Sequence, residues 1–518
     1  MREKELKGLK YKVNQLAPDY DFSKKSAVYK DGGGYLTDGK RGLLTDLNSG
    51  WVGFMRSEGV EIILDLEHPQ PITLVGATFL HQPELGILMP REVEFSASLN
   101  GKDYYLLGKI KNPKPLYTKE PLIQDYFLEV EAYEARYLRI SFLTDVWSFI
   151  DEITVKVTAK GSATQDITSK PKIEKTSLSD FDKTPSPDVK DMHHMVLIYS
   201  GDTYSWQAKD FLPYVGYLNN KTLTLEDYLF DSFLFLPYGK NASGYSFNHA
   251  GEKPAQKEHW LAYLESLFAE GTNLYGLDEA VEILKASLND PYYKAKVEIA
   301  IPYPSERQSN FGEITGKRLD FTTQNPQEAL KNRIFAVKWY VEEAIKRFVA
   351  AKFKNLELVA FYWLEENVSF SATPFEADLV KATAAILHGK NLAFHWIPFI
   401  QAEGFREWSE FGFDLALMQP NYFFHPEAKG DRLINNARLA KKYGLSVEIE
   451  VSNQVFTSED YRGRYKLYLE NALEYDFNKT LLAYYQETSL FGIAALSDKP
   501  RKREIYDWVY QFISKGKF

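Results

Sequence analysis

The 518-residue sequence contains no cysteine, which removes disulfides, thiolate metal centres and cysteine nucleophiles at one stroke. It has no long basic block, and its formal net charge is −9, so nucleic acid and anionic membranes are not expected as partners. No window reaches the roughly 18 apolar residues that a membrane span needs. The opening run Met1–Leu9 lacks the apolar stretch of a signal peptide, so the expectation is a cytoplasmic protein, or a secreted one whose leader is absent from this sequence. His193-His194, His249 and His259 fall in no His-x-x-x-His or Glu-x-x-His spacing, so no metal and no cofactor are expected. Nucleophile elbows and phosphate-cradling glycine loops are missing too, and Asp31-Gly32-Gly33-Gly34 reads as a turn.

Aromatic residues, by contrast, are plentiful at 15%, with 34 Tyr and 9 Trp. Rings stack on the C–H faces of sugars, so the excess suits a carbohydrate partner; large aromatic cores account for it equally well. The length predicts two or three domains. Residues 26–158 read as all-β: short runs (Val60–Leu66, Ile72–Phe79, Glu92–Ser98, Arg136–Phe142) alternate with Gly, Pro and Asn turns, as in a β-sandwich. Residues 159–190, rich in Lys, Ser, Thr, Asp and Pro, read as a linker.

The first region resembles a discoidin-like (galactose-binding-like) jelly roll. The likeness lies in Tyr35-Leu36-Thr37-Asp38-Gly39, Trp51–Phe54, Ile62–Leu66, Arg136–Ile140 and the closing Ile150–Ile153. The resemblance implies a ligand-binding or purely structural accessory module and carries over no binding residue.

Residues 191–518 alternate between strand-like and helix-like runs. The strand candidates are Met195–Tyr199, Ser232–Leu236, Val297–Ile301, Leu358–Leu364, Leu392–Ile397, Leu415–Met418, Ser446–Val451 and Leu481–Tyr485. Helical stretches are expected at 258–269, 277–289, 327–352, 375–390, 429–443 and 461–471. Eight strands alternating with helices predict a (β/α)8 TIM barrel, in which chemistry sits at the C-terminal strand ends.

Two acidic pairs fall at such ends. Glu448 and Glu450 are one residue apart on the seventh strand and share a face, and Glu365-Glu366 follows the fourth. Unpaired carboxylates on one strand face cost stability unless they are used, and paired carboxylates cleave glycosidic bonds. Many barrel glycosidases of the large clan A superfamily place the acid/base after strand four and the nucleophile at the end of strand seven, and this arrangement resembles theirs. Glu450, nearer the mouth, is the expected nucleophile, with Glu448 one layer deeper. Glu366 shares parity with Tyr362 and is the favoured acid/base, with Glu365 the close alternative.

Other strand ends carry residues suited to sugar: Tyr238, Tyr303, Tyr362, Trp363, His395, Trp396, Gln419, Asn421, Tyr422, Tyr485 and Gln486. Amides pair with vicinal hydroxyls and rings offer stacking faces. The runs Trp396–Gly404, Trp408, Phe411–Tyr422, Phe361–Trp363 and Val447–Glu450 resemble a bacterial family known as domain of unknown function 4855, over about residues 193–515. The resemblance implies a barrel often joined to discoidin-like modules and a role in polysaccharide processing.

The leading expectation is therefore a retaining glycoside hydrolase acting on a poly- or oligosaccharide. A non-catalytic carbohydrate-binding barrel is the alternative, and a transglycosylase would share every residue named. Sugar, linkage, endo or exo action and oligomeric state stay open.

Overall fold

The computed structural model describes residues 3–18, 29–55, 57–114, 118, 120–144, 147–158, 165–173, 191–201, 204–370, 373, 375–400, 402–428 and 430–518. Residues 26–28 of the expected sandwich, 159–164 and 174–190 of the expected linker, and Lys429 at the start of an expected helix lie outside these. The chain forms two compact units, one built on Met1–Asp182 and a larger one on Lys183–Ser369 and Thr373–Phe518.

The first unit is an all-β, nine-stranded antiparallel sheet organised on two long strands, Ser57–His81 and Leu122–Phe142. The runs Val60–Leu66 and Ile72–Phe79, expected as separate strands, are one. The ladder shifts register between Asp65 and Gln70, where Glu67 takes a φ of 66° and Pro69 has no N–H to donate. A bulge lets the strand continue past the interruption. The sheet also reaches beyond residues 26–158. Lys4–Leu6 and Lys10–Pro18 pair into it, and Lys172–Ile173 pairs with Tyr104 and Tyr105, so this part of the expected linker belongs to the sheet. Val60, Ile62, Leu64, Phe79, Phe95, Tyr126 and Ile140 form its core. Asp31 Oδ1 accepts the backbone N–H groups of Gly33, Gly34 and Tyr35 at 3.0 Å each, the turn expected there.

The larger unit is a closed barrel of eight parallel strands: His194–Ser200, Ser232–Pro237, Ala295–Ile301, Leu356–Trp363, Ala393–Trp396, Leu415–Met418, Ser446–Glu450 and Leu482–Tyr485. They pair in chain order and the eighth closes on the first. Helices Lys257–Leu267, Leu274–Leu288, Pro326–Ala351, Glu376–His388, Asp431–Tyr443 and Glu459–Glu474 fall where periodicity places them. Ala208–Val215, Leu490–Ala495 and Pro500–Lys515 were not expected. The first holds Pro213 in its interior, and the last opens on the basic run Arg501–Arg503, against the usual first-turn preference for acids.

Alternate strand residues enter the barrel and pack there: Met195 and Leu197, Leu234 and Leu236, Ala300, Ala360 and Tyr362, Ala393, Leu417, and Ala483. Two local signals aim the seventh strand and the helix behind it. Gly444, at φ 71°, ends Asp431–Tyr443 in the left-handed conformation glycine tolerates, and the strand begins two residues later. Ser458 accepts the N–H of Tyr461 and starts Glu459–Glu474, whose buried face carries Tyr465, Tyr468, Leu469 and Ala472 at helical spacing.

Candidate active site

A cavity of about 230 Å³ opens at the C-terminal ends of the barrel strands. Tyr199 reaches it from the first strand, Tyr362 and Glu366 from the fourth, Gln419 from the sixth, Glu448 from the seventh and Tyr485 from the eighth. Gly239, Asn248 and Ala250, from the long segment after the second strand, complete one wall.

The acidic residues of strands four and seven meet here. Glu448 is almost wholly buried on the cavity wall, and its Oε2 has no hydrogen-bond partner. Burial, then the charges of Glu450 and Glu366, hold its carboxyl well above the usual range. Glu450 is fully buried behind Gln419, so the deeper-lying acid is the one that lines the cavity, contrary to the expected order of depth. Tyr468 Oη donates to Glu450 Oε2, and Gln419 Nε2 donates to Oε1 at 3.4 Å. Burial raises Glu450 as well, but these donors, the Arg432 charge and the Asn421 N–H favour its ionised form. Tyr468 Oη in turn accepts the N–H groups of Tyr422 (3.2 Å) and Phe423 (3.3 Å), which ties the helix after strand seven to the loop after strand six.

Glu366 opens to the cavity's solvent, yet the protein packed around it, with the charges of Glu365 and Glu450, pushes its carboxyl up to about 7. Glu365 lines the same cavity but is also tied to its wall. Its Oε2 accepts the His249 N–H at 2.7 Å, and its carbonyl accepts Trp396 Nε1 at 2.8 Å. Burial lifts it to about 7, against the hydrogen bond and charge of His249. His249 also lies 3.5 Å from Glu306, which it holds down to about 2 despite burial.

Several expected sugar contacts are structural instead. Trp363 and Trp396 are fully buried on the outward side of their strands. Trp363 packs edge-on to Tyr303 and Phe394, while Trp396 stacks on Phe413 at 5.0 Å. His395 enters the barrel but is fully buried, its Nδ1 2.8 Å from Glu298 Oε1. Tyr303 accepts Arg333 Nη2 at 2.9 Å and donates toward Glu306 and Glu376, with Arg333 and Glu376 forming a buried ion pair. Tyr422 lies under the Arg464 guanidinium, and Gln486 is locked by Tyr214. Asn421, at φ 55°, contributes its backbone N–H to Glu450. Tyr238 is 49% exposed at the rim, its ring 5.3 Å from Tyr199.

Residues the sequence reading did not single out include Tyr199, Tyr468, Glu298, Glu306 and Arg333. Tyr468 had a usable signal: it sits on the buried face of an amphipathic helix, and a buried tyrosine hydroxyl seeks a partner. Glu298 and Arg333 find partners far away in sequence, and only the fold joins them. Among the described residues no group of three or more His, Asp or Glu is placed to hold a metal ion, and no helix is long and apolar enough to cross a membrane.

Residues 194–511 match the family described as a domain of unknown function, DUF4855. The chain belongs to that family. No curated protein matches the sequence. Solved structures with slight likeness include the C-terminal domain of a chitobiase from Bacteroides fragilis, 19% identical over 30% of this chain and 98% of the other, TM-score 0.21. A mutant GH29 fucosidase from Ruminococcus gnavus in complex with fucose is 15% identical over 30% of this chain, TM-score 0.22; the match spans only 26% of the fucosidase. A CBM32 module of a GH89 protein from Clostridium perfringens, in complex with GalNAc-β-1,3-galactose, is 13% identical over 28% and 94%, TM-score 0.20. Likenesses this slight do not bear on function.

Proposed function

We propose that the protein is a retaining glycoside hydrolase on a (β/α)8 barrel, with a discoidin-like sandwich as accessory module. The observation that carries this reading is the meeting of Glu366 with Glu448 at one cavity, with Glu450 buried beside them and held by the cavity residue Gln419, all three raised in pKa. A general acid must hold its proton near neutral pH, and Glu366, at about 7 and open to the cavity, suits that role. A nucleophile must be ionised; Glu450 is also raised to about 7 by burial, but it is the strand-seven acid whose donors favour the ionised form. Glu448, raised well above the usual range by burial and without a donor to Oε2, keeps its proton and offers it to a sugar hydroxyl. Glu365 also lines the cavity, but one of its carboxylate oxygens is already engaged by the His249 N–H, which leaves Glu366 the freer of the two.

In the reaction Glu450 attacks the anomeric carbon while Glu366 protonates the leaving oxygen. Water then displaces Glu450 from the glycosyl-enzyme, and Glu366 takes the water's proton. Tyr199, Tyr362 and Tyr485 supply ring faces, and Gln419 an amide for hydroxyls.

The test is release of reducing sugar from a panel of plant, fungal and bacterial polysaccharides. Glu450→Gln and Glu366→Gln should each lose at least about a hundredfold in rate, azide should restore turnover to Glu450→Ala, and proton NMR should show the product's anomer retained. Full activity in Glu450→Gln would overturn the assignment. A wild type that binds a glycan and cleaves none would instead mark a non-catalytic carbohydrate-binding barrel.

A further inference from the structure

A second, larger cavity of about 420 Å³ lies at the same end of the barrel, between the helices Ala208–Val215 and Leu490–Ala495. Its walls include Tyr204, Trp206, Lys209, Asp210, Thr488 and Ser489. Tyr204 also borders a small pocket with Tyr238 and Ser200, and so connects this groove to the rim of the carboxylate cavity. Between the two runs a path of tyrosine rings: Tyr485 to Tyr199 at 6.2 Å, Tyr199 to Tyr238 at 5.3 Å, and Tyr238 to Tyr204 at 5.6 Å.

The path is built to stay in place. Trp206 Nε1 donates to the Tyr199 carbonyl at 2.8 Å, and Gly201 and Tyr204 exchange backbone hydrogen bonds at 3.1 and 2.9 Å. Tyr199 and Tyr485 sit at the carboxylates, whereas Tyr238 and Tyr204 lead away from them. Tyr485, Tyr199 and Tyr238 meet edge-to-face and Tyr204 is tilted at 47° to Tyr238, so the path offers a patchwork of ring faces and hydroxyls that suits the mixed C–H and O–H surface of linked sugars, and the Lys209, Asp210, Thr488 and Ser489 groups beyond suit further hydroxyls. A compact monosaccharide would leave this half of the surface unused.

We propose that the groove is an extended glycan-binding subsite: the substrate is a chain of several sugar units that runs from the Glu366–Glu448 cavity over Tyr199, Tyr238 and Tyr204 toward Lys209. This deepens the glycosidase reading and rests on it.

The test uses the full chain on an array of immobilised glycans from monosaccharides to octasaccharides, followed by calorimetry with the disaccharide and hexasaccharide of the best-bound type. The hexasaccharide should bind about tenfold or more tightly than the disaccharide. Tyr204→Ala should remove most of that gain, about three- to tenfold for a lost stacking face, with disaccharide affinity unchanged. Lys209→Ala, at an exposed helical position that folding does not depend on, should reduce the gain in the same way. Equal affinity for both lengths, or a gain that both variants keep, overturns the subsite and leaves the glycosidase reading standing. No binding to any glycan on the array overturns that reading and the subsite with it.

Discussion

Tyr468→Phe isolates what the helix behind strand seven does for Glu450. The substitution keeps the ring and deletes the hydroxyl that donates to Glu450 Oε2 and accepts the N–H groups of Tyr422 and Phe423. A hydrogen bond to a charged group contributes about 1.5–3 kcal/mol, against about 0.5–1.5 kcal/mol for a neutral pair. At about 1.4 kcal/mol per tenfold change in proton affinity, losing the preference for the ionised form raises the Glu450 carboxyl by roughly one pH unit. The sign follows from which form the donor favours. Burial already holds the folded value above the unfolded one, so ionising Glu450 costs stability as pH rises from the unfolded range through the folded value. Without the donor that cost grows and extends to higher pH. Urea denaturation at pH 5 and pH 9 reads the effect: the variant's loss should be larger at pH 9 by about 1 kcal/mol or more. Carbon-13 NMR of labelled glutamate carboxyls should show one titration displaced upward. An equal loss at both pH values, with no carboxyl displaced, would refute the proposition that Tyr468 tunes Glu450 and leave it a packing residue.

The wild type as a whole should grow less stable as pH rises from about 4.5 through about 7, because Glu365, Glu366 and Glu450 are all raised by burial and the unfolded chain gives up those protons first. Thermal melts across that window check it, and a midpoint that climbs with pH would contradict the burial of these acids. Arg333→Met should cost about 3–5 kcal/mol, since it leaves Glu376 buried with only the Tyr303 hydroxyl. The double variant Arg333→Met with Glu376→Leu should recover most of that loss; urea midpoints of both decide it.

How far the site was legible in the sequence depends on which physical signal each part left. Apolar β-branched runs bounded by turns placed all eight barrel strands close to their observed limits, and chain order alone brought strands four and seven to one cavity. The two-residue period also contained more than was drawn from it. Tyr362 and Glu366 share the inward parity and line the cavity, while Trp363, of opposite parity, packs outward. Trp396 fails in the same way beside inward His395. His395 itself was misread because its partner, Glu298, lies on another strand 97 residues away, and no local pattern announces that pairing. In the N-terminal sheet, the residues between Leu66 and Ile72 read as a turn between strands, but the ladder shifts register there and continues.

The buried acids of the barrel separate into two kinds, and the separation bears on function more directly than residue type does. Glu298 is paired with His395, and Glu376 with Arg333 and Tyr303, through one carboxylate oxygen each, the other oxygen having no hydrogen-bond partner; these acids do not line the cavity, and a basic partner accompanies each in its burial. Glu365, Glu366 and Glu448 line the cavity, and among the described residues no cation pairs with Glu366 or Glu448. Glu450 beside them relies on a phenol, an amide and a backbone N–H, with the Arg432 charge in the background. A fold gains nothing from concentrating raised, mutually repelling carboxylates in one place, since apolar residues of similar volume would be more stable there. Such groups are candidates for use through their proton affinities, and on the proposed function that use is cleavage of a molecule made of apolar faces and hydroxyls in a cavity walled by tyrosines and an amide.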